Sequence, residues 1–226
     1  MNKFIFNDVC SVLDTYKGRD KLVRILCYSA KLLGSISNDK VFAKRCSTFS
    51  AQMSTTRAVL RLFDDLPMLK YSLQYGLGKE EPDKYLASIG VITNIVDQIY
   101  YPFDKIAWLA DLDLITTTNN EKWNTLSSIF WAVSTYLNIV RSLRYLNLLQ
   151  HHKNCLETDK YAMATLLASQ NRELLTLFRM CLDFVHAVNT LPAGFLWSSK
   201  LQSWHIGLIG TTSSCIGLYQ LFCKKS

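Results

Sequence analysis

Between Lys200 and Lys224 lies the stretch Leu201–Cys223, LQSWHIGLIGTTSSCIGLYQLFC, 23 residues without Asp, Glu, Lys or Arg. As a helix it is roughly 34 Å long at about 1.5 Å per residue, against a hydrocarbon core of about 30 Å. Trp204 and Tyr219 stand near its ends, where amphipathic rings settle at headgroup depth. The stretch therefore reads as a transmembrane helix over about 202–223. Gly207, Gly210, Ser214 and Gly217 recur along it at steps of three and four. Small residues at that spacing let two helix backbones approach closely in lipid, so these four are the candidate helix–helix packing residues. Dimerisation through this face is one use of them; the bland alternative is that glycine is simply commoner in membrane helices.

A second uncharged window, Trp123–Val140, has 18 residues and extends to a span of about 123–144 if Arg141 and Arg144 snorkel. It carries Asn124 and Asn138 and is the weaker of the two. For both windows the competing reading is a buried helix of a soluble all-α protein. Downstream, Leu174–Val188 carries Arg179 and Asp183 four apart and reads as an amphipathic helix, stopped by Pro192 and Gly194.

The N-terminal half has no period-two alternation and is dominated by helical periods. Ile5, Val9, Val12 and Tyr16 form a short stripe that Gly18 closes. In the following segment Lys17, Lys21, Arg24 and Lys31 fall on one face, with Leu22, Ile25, Leu26 and Leu33 among the aliphatic residues on the rest. A cationic stripe beside an aliphatic face is the pattern of a helix lying in a bilayer interface, although a solvated face on a bundle helix reads alike. These eight residues are the candidate membrane-surface set. Over about 41–66, up to Pro67, the residues Phe42, Phe49, Met53, Leu60 and Phe63 belong to a continuous apolar stripe. Pro67 and Gly76-x-Gly78 mark a loop, and another helix runs from about Asp83 to Tyr101, where Pro102 stops or kinks it. The clearest linker is Thr116-Thr117-Thr118-Asn119-Asn120. It divides an amphipathic helical region, 1–118, from a membrane region, 119–226.

Composition agrees with that mixture. The 226 residues are 49% hydrophobic and 19% charged, with a mean hydropathy of +0.08. That is too apolar for a disordered chain and too polar for a polytopic transporter. The net charge of +7 is spread rather than bunched, and no nucleic-acid-binding motif accompanies it. Seven cysteines without a CxxC pair read as small buried hydrophobes in a reducing compartment. The start turns polar too early for a secretory signal, and Lys224-Lys225-Ser226 matches no C-terminal address signal. Neither His151-His152, placed in a polar loop, nor His186 or His205 has a metal-ligand spacing around it. Nucleophile and nucleotide motifs are absent. Asp64 and Asp65 diverge by about 100° on a helix and balance Arg57 and Arg61. The reading is a non-enzyme with no metal and no cofactor.

Several blocks carry a resemblance. Tyr16-Lys17-Gly18-Arg19-Asp20-Lys21-Leu22, with Arg24, Tyr28 and Lys31, resembles the opening signature of the peroxisomal membrane protein 11 (peroxisomal biogenesis factor 11) family. Arg61–Leu66, Gln74–Gly78, Asp97–Pro102, Leu191–Trp197 and Gly207–Thr211 look like its gamma (C) form, so the likeness runs from about residue 9 to 220. It implies a multi-pass peroxisomal membrane protein with a cytosolic amphipathic helical region, 1–118, both termini in the cytosol and a matrix-side loop of about 147–200. It also implies a protein that bends and elongates the membrane before peroxisome division and regulates peroxisome number and size. Implied partners are membrane lipids of anionic character, further copies of itself and other family members, and the fission machinery (a dynamin-like GTPase and its tail-anchored adaptors). Two rivals stand beside curvature generation. One is a metabolite pore lined by Asn124, Asn138 and Arg141, and the other is a soluble adaptor binding partner helices through the Phe42–Phe63 stripe.

Overall fold

Residues 3–116, 119–155 and 160–223 are described by the computed structural model of the chain, the side chains of 3–6, 8, 154–155 and 160 excepted. The centre of the expected linker, Thr117-Thr118, the side chain of Ile5 and the terminal Lys224-Lys225-Ser226 lie outside what is described. The fold is all-α. In chain order the helices are α1 (Lys3–Leu13), α2 (Tyr16–Ile36), α3 (Lys40–Leu60), a single 3-10 turn (Arg61–Phe63), α4 (Asp65–Tyr75), α5 (Lys84–Asp111), α6 (Asn120–Cys155), α7 (Lys160–Asn189) and α8 (Ser203–Cys223).

Local chemistry sets several boundaries. Thr15 caps α2, its hydroxyl accepting from the Gly18 amide at 3.1 Å. Gly18 is thus inside the first turn of α2 instead of closing the helix before it. A Cβ there would sit 2.0 Å from the Val12 carbonyl oxygen, which is why the position is glycine. Asp39 caps α3 by accepting from the Val41 amide at 2.8 Å. Pro67, expected to end a helix at Leu66, instead lies in the first turn of α4, where proline removes no intrahelical donor. Likewise α5 continues through Pro102 to Asp111, and His151-His152 stand on the last turns of α6 rather than in a loop.

The helices form two compact units, and these differ from a linear division at 118. Met1–Arg61 joins Lys200–Ser226 in the first, and Leu62–Ser199 makes the second.

In the first unit α2 is antiparallel to both α3 and α8. The α2–α3 seam runs from Tyr16, whose hydroxyl donates to the Leu60 carbonyl at 3.0 Å, through the Asp20–Arg57 ion pair at 3.0 Å, to Cys27 against Ser50. At its far end Gly34 closes on Cys46. The α2–α8 seam is built from glycine. A Cβ on Gly207 would meet the Leu32 backbone at 2.7 Å, and one on Gly210 would meet the Tyr28 ring at 2.3 Å.

In the second unit α5 and α6 are antiparallel along a polar ladder. Asn124 donates to Asp111 at 3.0 Å, Ser127 to Asp104 at 3.0 Å and Ser134 to Asp97 at 2.5 Å. The ladder ends in two ion pairs, Arg141–Glu81 at 2.5 Å and Arg144–Asp83 at 2.7 Å. These pin the loop after α4, in which Gly76 (φ 51°) and Gly78 (φ 71°) take the left-handed backbone that glycine tolerates. Beside α5, α4 runs from Asp65, paired with Lys105, to Tyr75, packed on Gly90. Beside α6, α7 returns, with Ser142 donating to Glu173, Tyr136 facing Phe184 and Trp131 against His186. The stretch expected as a matrix-side loop thus packs, through α7, on the segment expected as the first span. Ala132, Ala187, Val188 and Leu191 form a small core there, flanked by Trp131, Phe184 and Trp197.

Candidate membrane-interaction surface

Among the described residues one helix is long and apolar enough to cross a membrane, Ser203–Cys223. This coincides with the span expected at 202–223. The 123–144 segment falls inside the much longer α6, whose polar ladder and Arg141 lower its hydropathy. All four small residues expected to pack, Gly207, Gly210, Ser214 and Gly217, are buried. For Gly207 and Gly210 the neighbour is α2 of the same chain, so the face that spacing offers to a second copy is taken internally. A glycine face admits any closely approaching helix, and α2 is the one tethered within reach.

The eight α2 residues divide by face. Lys17 is exposed, whereas Lys21 and Lys31 are half-buried. Lys21 lies 3.6 Å from Asp20. Arg24 is only 7% exposed, its guanidinium 5.6 Å from the centre of the Tyr28 ring. The cationic stripe therefore turns largely inward, where Asp20 and aromatic faces satisfy it. Leu22 and Ile25 are half-buried, but Leu26 is exposed, Leu33 is 55% exposed and Ile36 is 64% exposed. Beyond its first turn, where Lys17 and Arg19 are exposed, the outward face of α2 is mainly apolar.

On α3, Phe42 and Phe49 are exposed, while Met53 and Leu60 are half-buried. Phe63, 74% exposed, has left the helix for the 3-10 turn and belongs to the second unit. Spacing alone misses Lys40, Lys44 and Arg45, all exposed beside exposed Val41 and Phe42 in the first turns of α3. The signal was available: Asp39 at the cap fixes the helix phase and sets these three among the aromatics.

Electrostatics at the α2–α3 seam are strongly coupled. Burial acts to raise the Asp20 carboxyl, but Arg57, Lys21 and Arg61 outweigh it and hold the group below its ordinary 3.8.

The peroxisomal biogenesis factor 11 (PEX11) family model matches residues 6–222. The chain belongs to the PEX11 family. Among curated relatives, human Peroxisomal membrane protein 11C is 35% identical over 94% of this chain and 92% of its own length. The mouse protein of the same name is 35% identical over 96% and 94%. Peroxisomal membrane protein PMP30B of Candida boidinii is 28% identical over 60% of this chain and 56% of its own. No solved structure matches. PEX11 membership assigns the chain to peroxisome biogenesis and, through relatives named as peroxisomal membrane proteins, to the peroxisomal membrane.

Within this PEX11 chain the residues expected to line a pore are engaged elsewhere. Asn124 bonds Asp111, the Asn138 amide donates to the Ser134 carbonyl at 2.9 Å, and Arg141 pairs with Glu81.

Proposed function

We propose that this chain bends and elongates the peroxisomal membrane ahead of division, and so regulates peroxisome number and size, by inserting the α2–α3 hairpin into the cytosolic leaflet. The observation that supports this is the polarity of the first unit. Leu26, Leu33, Ile36, Val41, Phe42 and Phe49 point outward, while Gly207, Gly210, Ser213 and Ser214 are inside. A helix of about 20 residues is roughly 30 Å long and sinks about 5–10 Å into one leaflet. Area added at that depth on one side expands that leaflet and curves the membrane outward.

For α2 to lie in the headgroup plane while α8 crosses the bilayer, α2 has to leave the glycine face of α8. Its bonds to α3 through Tyr16, Asp20 and Cys27 make the pair swing as a hairpin. The rest of the proposal follows the family likeness: several crossings with cytosolic termini, anionic lipids as the surface bound, self-association with copies and family members to concentrate the wedges, and hand-over to the dynamin-like fission machinery and its adaptors.

The test is Leu26→Glu with Leu33→Glu in the full-length chain, both at exposed positions. The expected result is that overexpression of the parent chain elongates peroxisomes, whereas the double variant reaches the same membrane and leaves them round. Undiminished elongation by the variant rejects the wedge.

A further inference from the structure

The second unit is inverted relative to a water-soluble bundle. Its helix interfaces bury mostly small and polar side chains, Thr93, Asn94, Ser127, Ser134, Thr135 and Ser142, together with Ala107, Ala110, Ala132 and Ala187, with Leu86, Val188 and Leu191 as the large apolar exceptions. Its outside carries large apolar ones, Ile92, Ile95 and Ile99 on α5, Ile129, Val133 and Tyr136 on α6, and Phe178 on α7. Helices in water bury the large apolar residues first. Helices in lipid gain nothing from that and associate through small residues and interhelical hydrogen bonds.

Charge follows the same plan. Along α6 no charge occurs between Lys122 and Arg141, roughly 28 Å at about 1.5 Å per residue, close to the hydrocarbon thickness of about 30 Å. At one end of this zone stand the two pairs Arg141–Glu81 and Arg144–Asp83. The other end holds Glu121, Lys122 and Asp111. Four ionisable groups fall at mid-depth, Asp97, Arg179, Asp183 and His186, and none of them is exposed. Asp97 accepts from Ser134 across the α5–α6 seam. Intramembrane charges that face the bundle interior and find partners are the tolerated kind.

We infer that α4, α5, α6 and α7 enter the bilayer as one lipid-embedded body, with the Gly76–Asp83 loop and the Arg141–Arg144 end of α6 on one side and Asn119 on the other. The occupant of the exposed apolar belt is acyl chain. The inference rests on the multi-pass reading above and departs from it at one point: α6 does not cross alone. Because the ladder Asp111–Asn124, Asp104–Ser127, Asp97–Ser134 ties α5 to α6 along their length, a crossing by one is a crossing by both. Asp65 at Lys105 sets the entry of the chain toward the Asn119 end, and α7, meeting α6 at Ser142, Tyr136 and Trp131 in turn, runs back toward that same end. With the flanking segments cytosolic, the Gly76–Asp83 loop reaches the matrix, although the family likeness implies that all of 1–118 is cytosolic.

Full-length chains carrying Lys79→Cys, Asn119→Cys, Val133→Cys or His151→Cys, all exposed positions, are expressed in cells and intact peroxisomes are treated with a membrane-impermeant polyethylene-glycol maleimide. Each new thiol is read as an added gel shift over the native cysteines. The expected result is that Asn119→Cys shifts in intact organelles, Lys79→Cys and His151→Cys shift together only after permeabilisation, and Val133→Cys shifts only in detergent. Should Lys79→Cys react in intact organelles while His151→Cys does not, α6 crosses by itself; the shared body is then wrong and the multi-pass reading stands. If all four react in intact organelles, the unit lies outside the bilayer and both fail. Resistance to alkaline carbonate reports separately whether the chain is still anchored.

Discussion

Asp20 shows how one side chain couples sequence signature to stability. It bonds Arg57 across the α2–α3 seam at 3.0 Å, and both groups are largely buried. Neighbouring cations hold its carboxyl below 3.8 in the folded chain, so the sign is that of a depressed acid. Its contribution is fully present above the unfolded value and is lost as pH falls through the lower folded one. In a pH series of thermal melts the parent chain therefore loses stability below about pH 3.8, and Asp20→Asn flattens that limb. At neutral pH the same variant costs about 2 kcal/mol, because a charge-assisted bond is lost and Arg57 keeps its buried charge. Gly207 tests packing in place of charge. Since any Cβ there meets the Leu32 backbone at 2.7 Å, Gly207→Val separates α2 from α8 at a cost of about 1–3 kcal/mol. Limited proteolysis of α2 reads that separation.

At the scale of elements, the surface charge that can meet a membrane sits on α3 more than on α2. Each exposed basic residue near an anionic surface is worth around 1 kcal/mol. Lys40→Ala with Lys44→Ala thus weakens binding to anionic vesicles by about 30-fold at low salt, whereas Arg24→Lys changes binding little, Arg24 being buried. Co-sedimentation with vesicles measures both. The α8 span was readable from Leu201–Cys223 alone because lipid demands one property, an unbroken uncharged run. Which face of α2 looks outward was not readable in the same way. Lys17, Lys21, Arg24 and Lys31 do share a face, but periodicity reports a shared face without saying whether it meets solvent or a neighbour. Arg24 over Tyr28 and Lys21 beside Asp20 are satisfied by contacts that sequence spacing does not contain. Pro67 misled for a related reason: proline stops a helix from within and starts one from its first turn, and only the neighbouring Asp64-Asp65 distinguishes the cases.

For the molecule as a whole, family membership was legible in blocks spread from Tyr16 to Thr211, and the all-α class followed from period alone. The grouping of helices was not, because it depends on contacts between segments far apart along the chain. The first unit is the clearest instance. Leu32 and Tyr28 are seated on Gly207 and Gly210, so its earliest helices are finished only by its last. Domains commonly fold from the N-terminus while the ribosome is still at work. Here α2 and α3 emerge with the Tyr28 and Leu32 face uncovered, and that face stays open until α8 has been made. The first unit is therefore completed only after the intervening helices α4–α7 have left the ribosome.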